Sequence, residues 1–235
     1  MQDFGDAFHL AFALVFSGDA DLAEIVGLSL YVSMIAVVMS CAIGLPLGAF
    51  LAIARFPGRT AVTVVVNALM GLPPVVVGLM VYLSLSRAGP LGWMALLYTP
   101  TAMIIAQMVL ITPLVTALSR QVLEDVHGEY RETFDSLGVP LRTAMTAILF
   151  DARYSLLTVA LAGFGRAIAE VGAVIIVGGN IDHLTRVMTT AIALETSKGD
   201  LALALALGFV LLTIALVVNT LVMAARLGER RAVYA

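Results

Sequence analysis

One ionisable pair, Arg166 and Glu170, lies inside a long apolar stretch of the sequence. Four positions separate the two residues, so on a helix their side chains share a face and can form an ion pair. Each charge inside a membrane-spanning helix costs about 2.5 to 3.5 kcal/mol on insertion scales, so both should face protein or a water-filled cavity. The pair is either a charged lining or gate of an anion pathway, or a mutually satisfied structural pair between helices.

Neutral hydrogen-bond donors follow this pair, between Gly178 and Asp200. Hydroxyl and amide groups can hydrogen-bond a passing oxyanion without trapping it by excess positive charge. Residues 187–194 are apolar enough for a short re-entrant or surface-lying helix, but too few for a full span. An ordinary external loop is the alternative for most of these residues individually. The predicted pathway or gate residues are Arg166, Glu170, Asn180, Thr189 and Thr190.

Known catalytic motifs are absent from the sequence. The three histidines, His9, His127 and His183, are far apart and lie outside the predicted membrane spans, so they form no H-E-x-x-H zinc site. No G-x-S-x-G elbow occurs. The single lysine, Lys198, follows Ser197, which excludes the G-x-x-x-x-G-K-[ST] phosphate loop. We expect no catalytic residue, no metal and no cofactor, so any nucleotide that powers this protein must bind to another chain.

Membrane-spanning helices are the elements that must position these residues. Hydrophobic residues make up 61% of the chain and charged residues only 12%, and the mean hydropathy is +1.03, far from soluble averages. A bilayer core of about 30 Å needs about 20 apolar residues per helix. The sequence therefore predicts an all-α integral membrane protein with about five spans, near residues 25–54, 61–84, 97–118, 155–177 and 201–225.

Arginine and lysine set the predicted orientation of these spans, because cytoplasmic loops are enriched in both. Five spans put the termini on opposite sides, and most of the basic residues fall on one side. The prediction is an external N-terminus and a cytoplasmic C-terminus. The basic residues on the predicted cytoplasmic side are Arg55, Arg59, Arg120, Arg131, Arg142, Arg153, Arg226, Arg230 and Arg231, against Arg87, Arg186 and Lys198 on the other.

The resulting domain prediction has three parts. Residues 1–24 are acidic at both ends, lack Arg and Lys, and are predicted to form an external interfacial segment. A sixth span there is the alternative, and it would move the N-terminus inside. Residues 25–225 form the transmembrane domain, which includes a cytoplasmic loop at 119–153, and residues 226–235 form a cytoplasmic tail.

Glycine and proline interrupt two of the predicted spans. Proline removes a backbone donor and clashes with the preceding helical turn, so the freed carbonyl groups need other partners. Such positions can serve as hinges in a moving pathway, or they can simply bend a helix. The predicted hinge residues are Gly44, Pro46, Gly71, Pro73 and Pro74.

The polar loop at 119–153 has the pattern of two helices joined by a tight turn. Residues 126–137 are predicted to form the first helix, and Gly138 suits the left-handed position that follows a helix end. Pro140 is well placed to start a second helix that continues to about Phe150. The sequence predicts a helix-turn-helix between the third and fourth spans.

Within this loop, Glu132, Gly138 and Ile148 occur at the spacing of the cytoplasmic motif of ABC importer permeases. That motif is Glu-Ala-Ala, three residues, Gly, nine residues and Ile-x-Leu-Pro. In that family the ATPase subunit binds to it. Here Thr133-Phe134 replace the two alanines and Phe150-Asp151 replace Leu-Pro. The resemblance implies that ATPase coupling involves Arg131, Glu132, Asp135, Leu137, Gly138, Pro140 and Ile148.

Further segments resemble the molybdate, tungstate and sulfate importer permeases, namely 71–79, 98–107 and 170–181. Residues 55–59 and 191–200 are most similar to the tungstate-type permease. The resemblance implies a homodimer in the cytoplasmic (inner) membrane of a prokaryote, with two cytoplasmic ATPase subunits and an external binding protein that delivers an oxyanion. Tungstate is the substrate it points to, with molybdate as an alternative, and no nucleic-acid partner is expected.

Two other classes of function are alternatives. A stand-alone secondary transporter or channel would move an anion without partner subunits. A membrane-embedded enzyme would need reactive groups close together, and neither Arg55 with Arg59, Asp151 with Arg153, nor Glu170 suggests a known reaction.

Overall fold

The computed structural model describes Ala13 and residues 19–233, except for the side chains of Val222 and residues 225–233. In this part of the chain all regular structure is helical, as predicted. Most of the predicted external segment 1–24 lies outside the described residues. The nine α-helices among the described residues are α1 (Ala20–Ile53), α2 (Arg59–Leu69), α3 (Pro74–Leu85), α4 (Pro100–Leu137), α5 (Leu141–Asp151), α6 (Arg153–Ile168), α7 (Gly172–Gly178), α8 (Met188–Lys198) and α9 (Leu201–Val233). A 3₁₀ turn covers Gly92–Met94.

Three of these helices are long and apolar enough to cross a membrane: α1, α4 and the Leu201–Leu221 part of α9. Two further pairs qualify only as bent spans, α2 with α3 at 98° and α5 with α6 at 75°. Three to five spans agree with the five predicted. The fourth predicted span, 155–177, is not one helix, because α6 ends at Ile168 and α7 begins at Gly172.

Helix α4 is longer than a membrane crossing requires. Its 38 residues extend about 57 Å at 1.5 Å per residue, against a hydrocarbon core of about 30 Å. The first helix of the predicted helix-turn-helix, residues 126–137, is therefore the end of this long helix rather than a separate element. Part of the polar segment predicted as a loop thus continues a spanning helix.

The described residues divide into two compact units. The first contains the residues up to Ala36, together with Pro73–Gln107 and Arg166–Val218. The second contains Val37–Leu72, Met108–Gly165 and the described residues from Asn219 onward. The predicted hinge at Gly71–Pro74 falls at a boundary between these segments, whereas Gly44 and Pro46 lie within the second unit.

In the second unit, α1 and α4 pack closely at two glycines of α1. A Cβ atom on Gly44 would lie 2.9 Å from Val115 Cγ1. One on Gly48 would lie 2.9 Å from the Thr116 carbonyl oxygen and would overlap the Ser119 hydroxyl. Helix α1 continues through Pro46 without a break. Close packing therefore requires Gly44 and Gly48 in this conformation.

Arg59 joins the end of α1 to α4 in the same unit. Its guanidinium donates to the carbonyl oxygens of Leu51 (2.7 Å) and Ala52 (3.1 Å), which belong to the last turn of α1. It also forms an ion pair with Glu124, which pairs in turn with Arg120. The final carbonyls of a helix lack intrahelical partners and carry partial negative charge, so a cation there stabilises the helix end.

The close packing of α1 on α4 predicts opposite effects for two glycine substitutions in α1. Gly48→Ala should destabilise the fold by about 1 to 3 kcal/mol, because the new methyl group meets α4 backbone. Gly27→Ala is the matched control, since no atom lies within 4 Å of its added Cβ and alanine favours the helix. Thermal unfolding in detergent measures both. Equal midpoints for the two variants would contradict the packing argument.

Candidate functional site

The predicted pair Arg166–Glu170 forms, but at a helix break rather than along one continuous helix. Arg166 lies in the last turn of α6 and Glu170 in the connection to α7. Arg166 Nη1 and Glu170 Oε2 are 2.6 Å apart. The Glu170 side chain is 4% exposed, whereas that of Arg166 is 41% exposed. The carboxylate is buried, and the guanidinium reaches the surface of the chain.

Glu170 also organises the backbone around the break. Its Oε1 accepts a hydrogen bond from the Ala173 N–H (3.2 Å) at the start of α7. Its carbonyl oxygen accepts from Thr189 Oγ1 (2.8 Å) on α8. Its N–H donates to the Ala167 carbonyl (3.1 Å), which also accepts from Gln107 Nε2 (3.1 Å) on α4. One residue thus ties together the end of α6, the start of α7, and α8.

The other predicted gate residues, Asn180 and Thr190, also come together. Asn180 Nδ2 donates to the Thr190 carbonyl oxygen at 3.4 Å. The Thr190 hydroxyl donates to the Val187 carbonyl (3.0 Å) and accepts from the Val187 N–H (3.1 Å), which closes the first turn of α8. In this conformation the hydroxyls of Thr189 and Thr190 both donate to backbone, so a substrate would have to compete with those bonds.

A small polar cavity lies beside Glu170, and Ser29, Gln107 and Thr189 are among its lining residues. Its volume is about 10 Å³, close to what one water molecule needs. It is therefore too small for a tetrahedral oxyanion. Sequence analysis did not single out Ser29 or Gln107, although Ser29 Oγ accepts from the Met188 N–H (2.8 Å) at the start of α8. The feature of the sequence that could have identified these two residues is a polar side chain within an apolar span.

The predicted hinge residues Gly71, Pro73 and Pro74 form the corner between α2 and α3. The Gly71 N–H still donates to the Ala68 carbonyl (3.1 Å), so α2 ends in a tight turn. Pro74 is the first residue of α3, where its missing N–H costs no intrahelical bond. The sharp bend therefore has a local cause in the sequence.

A tight turn at Gly138 joins the end of α4 to α5. Gly138 has φ +60°, a left-handed conformation that costs other residues about 1 to 2 kcal/mol. The Val139 N–H donates back to the Phe134 carbonyl at 3.0 Å, and Pro140 precedes α5 and accepts from the Ala144 N–H at 3.0 Å. These bonds satisfy groups at both helix ends and fix the direction of α5.

Ile148, the last residue of the motif, is fully buried rather than available to a partner. It belongs to a core cluster on α1, α4, α5 and α6 whose buried members are Ala49, Ala52, Leu123, Ile148, Ala152 and Leu156. Phe134 and Met145 pack against this cluster. Ile148 therefore anchors α5 to the spanning helices within the second unit.

The remaining motif residues are exposed around the turn. Asp135 pairs with Arg55 (3.5 Å) and Arg131 (3.8 Å), both at exposed positions. Leu137 is 73% exposed. Glu132 is exposed and has no ion pair within the described part of the chain. The turn thus presents a large apolar side chain beside an unpaired carboxylate.

An exposed aromatic side chain also lies at the end of α5, and the motif did not predict it. Phe150 is 69% exposed. The Arg153 guanidinium lies 4.5 Å from the centre of the Phe150 ring and 4.7 Å from that of Tyr154. Cation–π contacts of this kind hold the three side chains in one orientation. We call the surface formed by Glu132, Leu137, Leu141 and Phe150 the turn surface.

His183, in the connection between α7 and α8, is linked to the start of α1. Its Nδ1 lies 2.9 Å from Glu24 Oε2. The hydrogen bond that His183 donates to Glu24 raises the pKa of His183 above 6.5, and the negative charges of Glu24, Asp182 and Asp21 add to this effect. The pair thus forms more readily as the histidine gains its proton.

Comparison with known proteins extends over most of the chain. The family model described as "Binding-protein-dependent transport system inner membrane component" matches residues 44–228. A tungstate uptake system permease protein of Peptoclostridium acidaminophilum is 41% identical over 222 residues, 94% of this chain and 97% of the relative. Its counterpart in Campylobacter jejuni is 37% identical, covering 91% of this chain and 90% of the relative. A molybdenum transport system permease protein of Azotobacter vinelandii is 28% identical, covering 73% and 79%.

Arg166 is partly exposed and Glu170 is buried, so removing Arg166 alone should affect stability differently from removing both charges. Arg166→Ala should destabilise the protein by about 1 to 3 kcal/mol, because it leaves a buried carboxylate without a counter-ion that was itself partly exposed. The double variant Arg166→Ala/Glu170→Gln should regain much of that loss, since the neutral amide oxygen can still accept from the Ala173 N–H. Thermal unfolding of the single and double variants tests this. A double variant no more stable than Arg166→Ala would contradict the assignment.

The His183–Glu24 contact predicts a pH dependence. Because the folded state raises the pKa of His183, its stabilisation is fully present below about pH 6.5, the unfolded value, and disappears as pH rises through the folded value. The unfolding midpoint of wild type should exceed that of His183→Gln at pH 5 and match it at pH 9. A constant difference across this range would show that the pair does not titrate as inferred.

Proposed function

The chain belongs to the family of binding-protein-dependent transport system inner membrane components, and on that premise we propose that it is the membrane subunit of an ATP-driven tungstate importer. The substrate is inferred from similarity, over nine-tenths of the chain, to two permeases named for tungstate uptake. The family establishes the class of transporter. The residue-level roles that follow are our inferences.

The proposed complex contains two copies of this chain, two cytoplasmic ATPase subunits and one external substrate-binding protein. ATP hydrolysis belongs to the ATPase subunits, since the sequence has no phosphate loop. The N-terminus is placed outside and the C-terminus inside the inner membrane by the distribution of arginines. Residues 25–225 form the transmembrane domain in this proposal.

Coupling to ATP is assigned to the turn surface. Glu132, Leu137 and Phe150 offer a carboxylate and two large apolar groups that a partner can cover. The buried contacts of Ile148 then pass a displacement of α5 to α1 and α4 within the second unit. Close-packed interiors transmit such shifts because they have little free volume to absorb them.

The substrate pathway is assigned to the region of Arg166, which offers a half-exposed cation toward an anionic substrate. Glu170, Asn180, Thr189 and Thr190 support this region through the hydrogen bonds described above. Alternating access would open and close the path by movement at the Gly71–Pro74 corner, with Gly44 and Pro46 as a second site of flexing in α1.

Co-reconstitution tests the proposed function directly. The chain is assembled in proteoliposomes with its ATPase and binding protein, and ATP hydrolysis and uptake are measured with tungstate, molybdate and sulfate. Stimulation by tungstate at the lowest concentration is expected. Preferential stimulation by molybdate would correct the substrate, and transport by the chain alone, without ATP, would favour a secondary transporter or channel.

Charge reversal at the turn surface should uncouple the complex. Glu132→Lys is expected to lower ATP-dependent uptake at least tenfold while membrane insertion stays normal, because the ATPase would meet a lysine where it meets a carboxylate. Gly138→Val should act similarly by straining the left-handed turn. Asp125→Lys is the matched control, an exposed acid about 10 Å earlier on the same helix. Full uptake by both test variants would refute the coupling assignment.

A further inference from the structure

An exposed tryptophan lies in the connection between α3 and α4. Trp93, the single tryptophan of the chain, belongs to the 3₁₀ turn Gly92–Met94 and is 80% exposed. Leu91 and Met94 beside it are also exposed. The indole N–H has no hydrogen-bond partner within the described part of the chain. The connection belongs to the first unit and lies on the predicted external side of the membrane. No transport role assigned above involves it.

We propose that Trp93 and its neighbours form a phospholipid-binding surface that holds this connection at the membrane surface. Its members are Arg87, Leu91, Trp93 and Met94. Tryptophan has an apolar ring with a polar N–H, and it is enriched where hydrocarbon meets lipid headgroups. Such a surface depends only on the chain lying in a membrane, and not on which anion is transported.

The connection folds back along α3 instead of projecting away from it. The Leu91 N–H donates to the Ser84 carbonyl oxygen at 2.9 Å, and Ser84 belongs to the last turn of α3, which ends at Leu85. A Cβ atom on Gly89 would overlap the Leu83 carbonyl oxygen, so only glycine allows the two segments to approach this closely. Leu91 and the turn that follows it therefore lie beside the end of the bent span formed by α2 and α3.

The carbonyl groups at the end of α3 are bonded by the protein itself. The last carbonyls of a helix lack intrahelical partners. Here the Tyr82 carbonyl accepts from the Ser86 N–H (2.8 Å), and the Leu83 carbonyl accepts from Ser86 Oγ (3.0 Å). The Ser84 carbonyl accepts from Leu91, as described above. In water these groups could bond to solvent, whereas near hydrocarbon they need partners in the protein. The end of α3 is thus suited to the membrane boundary.

A cation completes the chemistry that a phospholipid headgroup requires. Arg87 is exposed and forms no ion pair within the described part of the chain. A Cβ atom on Gly92 would lie 3.0 Å from the Arg87 Cα, so the backbone of Arg87 packs against the turn that carries Trp93. Guanidinium groups bind phosphate through paired hydrogen bonds. An arginine beside three exposed apolar side chains matches a lipid, whose phosphate lies next to its acyl chains.

A second copy of this surface is a less suitable occupant than lipid. In a twofold contact the same patch meets itself, and residues 84–100 contain Arg87 but no acidic residue. Two such patches would bring like charges together and leave both guanidinium groups without a counter-ion. A phospholipid supplies the phosphate and the apolar chains in one molecule.

Tryptophan fluorescence of the full chain in liposomes tests this surface, because Trp93 is its single tryptophan. Phospholipids brominated at a shallow position of the acyl chain should quench Trp93 about twice as strongly as those brominated near the chain end. Iodide on both sides of the membrane should quench it weakly. The matched control is Trp93→Phe/Phe150→Trp, which moves the tryptophan to an exposed position on the turn surface. Iodide should quench this variant strongly and brominated lipid should not.

Three results would overturn the proposal. Quenching of Trp93 by iodide but not by brominated lipid would place the indole in water. Protection from iodide by a tryptophan-free variant of the external binding protein would then assign the surface to that protein. Failure of both quenchers would show that a second copy of the chain covers it. Stronger quenching by the deep bromine than by the shallow one would place the indole inside the hydrocarbon and away from the headgroups.

Arg87→Gln measures the contribution of the headgroup. Brominated phosphatidylglycerol should quench wild-type Trp93 about twice as strongly as the same fraction of brominated phosphatidylcholine, because an arginine at the surface attracts anionic lipid. The two lipids should quench the Arg87→Gln variant equally. Equal quenching by the two lipids in wild type would refute the binding of a lipid headgroup by Arg87.

Discussion

The buried carboxylate of Glu170 is the interaction on which the arrangement of the first unit depends. Wherever a helix is interrupted within a membrane, its freed backbone groups must find partners in the protein, since lipid offers none. The Glu170 carboxylate meets that requirement for α7 by accepting from the Ala173 N–H, and the Thr189 hydroxyl on α8 donates to the Glu170 carbonyl oxygen. The ion pair with Arg166 compensates the charge that this solution introduces. Glu170 thus stabilises the break between α6 and α7. It also holds Arg166, whose side chain is exposed at the surface of the chain.

In the second unit, an arginine provides hydrogen-bond partners for the backbone groups at a helix end. The carbonyl groups that end α1 are satisfied by Arg59, whose charge is balanced by Glu124 on α4. The same pair of helices approaches closely at Gly44 and Gly48, and α5 is anchored beside them through Ile148. A rigid connection between the turn surface and the spanning helices follows from these contacts, which is what force transmission from an ATPase would require.

The fold class, the approximate spans and the tight turn before α5 could all be predicted from the sequence. Composition predicts the fold class, the length of the apolar stretches predicts the spans, and Gly138 with Pro140 predicts the turn. Each of these is a local property of the chain. The break after Ile168 was not predicted, since residues 155–177 contain no proline and no charged residue other than the pair. Whether Ile148 is buried or exposed also depends on tertiary packing, and spacing in a motif carries no such information. The partners of Thr189 and Gln107 lie 19 and 60 positions away, so no local pattern could identify them.

The length of α4 has a consequence for how small motions are amplified. A helix that continues about 18 residues beyond the 20 or so needed to cross the bilayer projects roughly 27 Å outside it. If α4 tilts at the membrane surface, this projecting part and the helices packed against it would move together. A tilt of about 10° there would move the far end by roughly 5 Å, a distance close to one helical turn. A small tilt of α4 inside the bilayer would then be accompanied by a larger displacement of the turn surface.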